Sequence, residues 1–136
     1  MNEEQQILRL IIIEETQNDA EAIANILRNA GHAVRSMYAE NQEHLEQALD
    51  QQLPDLILCA RNLPSIDLPQ VLGILHDRTL NIPVIAVGDS ADEPSVIETL
   101  REGATDLVSF DHPEHLQLVV AREQRNLVMQ RDLNFF

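Results

Sequence analysis

Five short aliphatic runs, separated by stretches of helical spacing, constrain this chain more than any other feature. The runs are residues 8–13 (LRLIII), 32–37 (HAVRSM), 56–60 (LILCA), 82–87 (IPVIAV) and 106–110 (DLVSF). A run that is apolar at nearly every position suits a strand covered on both faces, because successive side chains point to opposite sides. Between the runs the apolar period lengthens. Ala20, Ile23, Ala24, Leu27 and Ala30 follow the cap chemistry of Thr16-Gln-Asn-Asp and stop at Gly31. Leu45, Ala48 and Leu49 fall inward in a helix over 41–51, and Val71, Leu72 and Leu75 in one within 65–77. Val96, Ile97 and Leu100 follow Glu93-Pro94 as the inward face of a fourth helix, which Gly103 ends. Leu116, Val119 and Val120, then Leu127 and Val128, continue the pattern from Pro113. Five strand–helix units with short connections predict an α/β fold: a doubly wound parallel sheet with helices on both faces.

A length of 136 residues fits one compact domain. The lone cysteine, Cys59, allows no intramolecular disulfide, which points to a reducing, cytoplasmic compartment. The opening MNEEQQ is the reverse of a secretory signal, and the apolar runs are too short to span a bilayer. Charge excludes more. Nine basic residues, all arginine, face 23 acidic ones, for a net −14. Such a chain repels phosphate backbones and anionic lipid, so neither nucleic acid nor a membrane is an expected partner. The aromatics are Tyr38, Phe110, Phe135 and Phe136 alone, too few for a stacking platform.

In open α/β sheets ligands sit outside the carboxyl ends of the strands. Those ends carry Glu14-Glu15, Ala60 followed by Arg61-Asn62-Leu63-Pro64, Gly88-Asp89-Ser90, and Phe110. Here the sequence resembles the response-regulator receiver family, in IIIEETQNDA, PDLILCARNLPSID, IPVIAVGD and LREGATDLVSF. The likeness runs from about Leu8 to about Arg122, and PDLILCARNLPSID is its most specific part. It implies a flavodoxin/CheY-like (βα)5 sheet of strand order 2-1-3-4-5.

The resemblance also implies a chemistry. Receivers take a phosphoryl group on an aspartate ending the third strand, with two acids holding Mg²⁺. A hydroxyl on the fourth strand, a lysine after the fifth and an aromatic within the fifth complete the set. Glu14 and Glu15 fall on the metal-binding acids, Ala60 on the nucleophile, Gly88 on the hydroxyl, Leu107 on the aromatic and Phe110 on the lysine. A chain without lysine lacks that ammonium at every register. These six residues therefore read as a vestigial pocket: a degenerate pseudo-receiver with no catalytic residue, no metal site and no cofactor. Phe110 is expected to fill the pocket.

Other candidates have plainer readings. Glu14 and Glu15 are either weak Mg²⁺ ligands or solvated acids near a positive helix end. Asp55 and Asp67 are spare aspartates, one before the third strand and one past its loop. Cys59 reads as a small core residue. Asp111, His112, Glu114 and His115 read as a polar helix start rather than a metal cluster. A flavin or dinucleotide would need a glycine-rich loop after the first strand, where Glu14–Asp19 offers three acids and no glycine.

The expected function is that of a non-enzymatic, phosphorylation-independent signalling module acting through a protein partner or a homodimer. By the resemblance its interaction surface is the fourth helix, fifth strand and fifth helix, with Val96, Ile97, Leu100, Leu116, Val119, Val120 and Leu127. GATDLV followed by PEHLQLVVAREQRNL is also similar to the N-terminal receiver-like modules of FimX-type cyclic di-GMP signalling proteins, which implies downstream GGDEF-like and EAL-like domains and a role in type IV pili. The organisation expected is a tail (1–7), a receiver-like domain (8–122) and an extension of the last helix (123–136) toward a further domain. The alternatives are a receiver phosphorylated at a non-standard aspartate and a flavodoxin-like ligand-binding domain.

Overall fold

The computed structural model describes residues 7–135, with side chains through residue 130. Strands and helices alternate without exception: β1 (Ile7–Ile13), α1 (Gln17–Asn29), β2 (Ala33–Ala39), α2 (Gln42–Gln51), β3 (Leu56–Ala60), α3 (Leu68–Asp77), β4 (Val84–Gly88), α4 (Glu93–Glu102), β5 (Asp106–Ser109) and α5 (Pro113–Phe135). The sheet order is β2-β1-β3-β4-β5, with every pairing parallel. The flavodoxin/CheY-like (βα)5 architecture expected from the sequence is thus the one observed.

Alternation along each strand builds two cores. Ile11, Ile13, Ile57, Cys59, Val84, Ala86 and Leu107 point to one face, where Leu45 and Leu49 of α2 and Val71 and Leu75 of α3 cover them. Leu8, Leu10, Ile12, Leu56, Leu58, Ile85, Val87 and Val108 point to the other, under Ile23 and Leu27 of α1 and Leu116 and Val120 of α5. Each fully buried leucine or isoleucine contributes about 1.5–3 kcal/mol. Residue-by-residue burial in β3 and β4 is why their sequences show no polar alternation.

Helix ends follow local chemistry. Thr16 caps α1 by accepting the Asp19 N–H at 3.1 Å. Asn41 caps α2, and Asp67 forms a reciprocal capping box with Gln70 on α3. Gly103 ends α4 at φ 112°, a left-handed conformation that favours glycine.

Several sequence expectations shift. β1 begins at Ile7, inside the anticipated tail. β2 runs to Ala39 rather than ending at Met37. β4 starts after Pro83, whose carbonyl accepts the Ile57 N–H. Ala30 is the exposed C-cap of α1 instead of an inward residue. On α4 the larger correction falls: Ile97 and Leu100 are 44% and 47% exposed, and the buried residue is Thr99. Leu116, Val119 and Val120 are core side chains beneath α5 and are not available as surface. Among the described side chains of α5, the exposed large apolar ones are Leu118, Val128 and Met129. The Phe135 side chain and Phe136 lie outside the described residues.

Candidate functional site

Parallel register carries the five strand ends to one edge. Ile13 pairs with Ala39 and Cys59, Ala60 with Val87, and Gly88 with Ser109. The segments just beyond them enclose a cleft of about 390 Å³ lined in part by Glu14, Glu15, Asp19, Ala60, Asp89 and Phe110.

Glu14 extends β1 by one residue, its N–H donating to the Ala39 carbonyl at 3.1 Å. That places its side chain in the cleft wall, 5% exposed, with one carboxylate oxygen accepting the Glu15 N–H at 2.9 Å. Burial raises the Glu14 pKa above the ordinary 4.5, and the neighbouring charges of Asp19 and Glu15 push the same way against that hydrogen bond. The expectation of two solvated acids holds for Glu15, which is exposed, and fails for Glu14. The Glu15 carbonyl is held by the Tyr38 hydroxyl at 3.0 Å.

Ala60 is buried in the cleft floor at the position where the resemblance puts a phosphoryl acceptor. A methyl group has no lone pair to attack phosphorus. Its absence of oxygen also removes a carboxylate from the Mg²⁺ set the family implies. The remaining donors do not fit that ion: among the described residues no three His, Cys, Asp or Glu side chains are placed to hold a metal.

Gly88 has no hydroxyl to offer. A Cβ there would meet the Ser90 carbonyl oxygen at 3.6 Å, Leu107 Cδ1 at 3.7 Å and Arg61 Cδ at 3.8 Å, all ordinary contacts. Leu107 is fully buried behind it. Phe110 donates its N–H to the Gly88 carbonyl at 3.0 Å, and its ring borders the cleft at 39% exposure instead of filling it.

The sequence reading gave Arg61 no role. Arg61 lines the cleft, and its guanidinium reaches α4, donating to the Thr99 hydroxyl and, at 3.3 Å, to Glu98. No local pattern signals a contact across 38 residues.

The other candidates have structural duties. Asp55 accepts the Arg9 N–H at 2.9 Å and returns a backbone bond at 2.8 Å, at the edge of the sheet opposite the cleft. Asp67 caps α3. Cys59 is buried in β3, which with the charge of Glu14 pushes its thiol up to about 12, so it stays protonated. His112 and His115 lie at the start of α5, where the His115 N–H donates to the His112 carbonyl at 3.0 Å.

A cleft with Ala60 in its floor, at the carboxyl edge of a 2-1-3-4-5 sheet, sets the context for the sequence match. The family model described as "Response regulator receiver domain" matches residues 10–120. The chain belongs to this family. Among curated proteins it is 25% identical over 125 residues to the C4-dicarboxylate transport transcriptional regulatory protein DctD of Pseudomonas aeruginosa, covering 90% of this chain and 27% of that one. The chain therefore spans about a quarter of that relative. Among solved structures, the receiver domain of the Francisella response regulator 1452 superposes with a TM-score of 0.73 at 18% identity, covering 88% of this chain and 98% of that one. NtrX from Brucella abortus gives 0.76 at 18% identity, covering 95% of this receiver domain and 30% of that chain. At such identities the two structures speak to the fold alone. Among the described residues no helix is long and apolar enough to cross a membrane.

Proposed function

We propose that this receiver domain signals without phosphorylation at the usual position and without enzymatic activity, by presenting a protein surface to a partner or to a second copy of itself. The observation that carries this reading is Ala60: a methyl group stands at the floor of the cleft, beside a buried Glu14, in a chain with no lysine. Nucleophile and ammonium are missing independently, so no single change of register or rotamer supplies both. The working surface is α4, β5 and the outer side of α5, where Ile97, Leu100, Leu118 and Met129 are exposed. The net charge of −14 favours a basic protein partner over nucleic acid. The compartment is the cytoplasm, in keeping with a single buried thiol.

Incubation with acetyl phosphate and Mg²⁺, read by intact mass, tests the central claim. No added phosphoryl group is expected; a stoichiometric gain of one overturns it. Light scattering tests self-association, with Met129→Glu expected to weaken a dimer built on α5.

The parent protein is of the FimX type, with GGDEF-like and EAL-like domains following and type IV pili as the output. The support is the text GATDLV and PEHLQLVVAREQRNL. The similarity to DctD favours a transcriptional regulator as the alternative parent. The gene sequence beyond Phe136 separates the two. Phosphorylation at a non-standard aspartate is the second reading of the cleft, favoured by Asp89 in its lining; the mass measurement decides it as well.

A further inference from the structure

Among the described residues α4 buries fewer side chains than any other helix of the fold. α1 buries Ala20, Ile23, Ala24 and Leu27, and α3 buries Leu68, Val71 and Leu75. α4 buries only Thr99, a polar residue, with Val96 partly covered. A buried hydroxyl needs a partner, because desolvation without one is costly. Arg61 supplies it from the end of β3, and its second nitrogen reaches Glu98 one residue earlier on the same helix turn. The stem of Arg61 passes over Gly88, where its Cδ would lie 3.8 Å from an added Cβ. The Arg61 side chain is 21% exposed but Glu98 is 61% exposed, so water largely screens the ion pair and the Thr99 bond is the better protected of the two.

We propose that Arg61 is a built-in latch, which fixes the orientation of α4 against the carboxyl edge of the sheet without any ligand in the cleft. One guanidinium ties the cleft floor to the helix that carries the exposed Ile97 and Leu100. The fork geometry matters, since two separate nitrogens reach two acceptors on adjacent residues. A partner recognising α4 then meets a surface already set. That consequence rests on the phosphorylation-independent reading, whereas the latch itself does not.

Hydrogen exchange read by mass spectrometry on the whole chain, with no phosphoryl donor present, tests the latch separately from that reading. In Arg61→Gln the amides of α4 are expected to exchange about tenfold faster, since both bonds to the helix are lost, while β1, β3 and α1 keep their rates. Thr99→Val, which keeps the shape and removes one of the two acceptors, is expected to raise the same rates by a smaller factor, and the double variant to go no further than Arg61→Gln. Unchanged exchange in α4 in both single variants overturns the proposal. So does a uniform rise across every element, which reports general loss of stability instead of a released helix.

Discussion

The Glu14 carboxylate accepts the Glu15 N–H at 2.9 Å, and these adjacent acids end up in opposite environments, one buried in the cleft wall and one in solvent. The cause is register: Glu14 still follows the β1 ladder through the Ala39 carbonyl, and Glu15 has left it. Two residues that read alike in the sequence therefore differ in what removing their charge does.

Glu14→Gln is expected to stabilise the protein at neutral pH. The glutamine oxygen keeps the Glu15 hydrogen bond and removes the buried charge. The sign follows from the raised folded pKa: ionising Glu14 costs the folded state more than the unfolded chain, so its penalty is full above the folded pKa and vanishes below 4.5. Thermal melts across pH should show the variant melting higher at neutral pH and the two curves converging in acid. A variant that melts lower at neutral pH would contradict this assignment.

Ala60→Asp should leave the protein unable to hold a phosphoryl group, because no lysine is present to pair with it. The new carboxyl would join the buried Glu14 and have its own pKa raised. A loss of roughly 1–3 kcal/mol at neutral pH is expected, partly recovered in millimolar Mg²⁺. Urea midpoints with and without the ion measure both parts.

Val120 and Leu118 lie two positions apart on α5 with opposite fates, 0% and 63% exposed. Val120→Ala should cost about 2 kcal/mol through the cavity it leaves. Leu118→Ser should change stability by no more than about 0.5 kcal/mol. Equal losses would place the helix in a different rotation.

Asp67→Ala removes one half of the α3 capping box, where the aspartate oxygen accepts the Gln70 N–H at 2.9 Å. A loss of about 0.5–2 kcal/mol is expected, with Asp67→Asn close to wild type because the amide oxygen still caps.

Much of the fold is legible in the sequence alone. Leu56–Ala60 and its neighbours announce doubly covered strands, Thr16 and Gly103 announce helix ends, and the alanine at position 60 and the lack of lysine are read directly. Those signals are local: a strand's burial, a cap's hydrogen bond and the absence of a functional group are each properties of a few consecutive residues. On α4 the same locality gives only part of the inward face: Val96 packs against the core as its spacing predicts, whereas Ile97 and Leu100 are exposed. Val96, Ile97 and Leu100 have helical spacing, yet a short helix at the edge of a sheet can turn that stripe sideways, and here Thr99 took the buried place.

The sequence by itself determined the class of fold, its alternation and the chemistry that the cleft lacks, because periodicity and residue type carry that information along the chain. Only the tertiary structure decided that Glu14 is buried while Glu15 is not, that Leu116 and Val120 are core while Leu118 is surface, and that Arg61 reaches from the cleft to Thr99 on α4. Each of those outcomes depends on which distant segment lies opposite a side chain. Strand order and helix rotation set that opposition, and no window of neighbouring residues contains it.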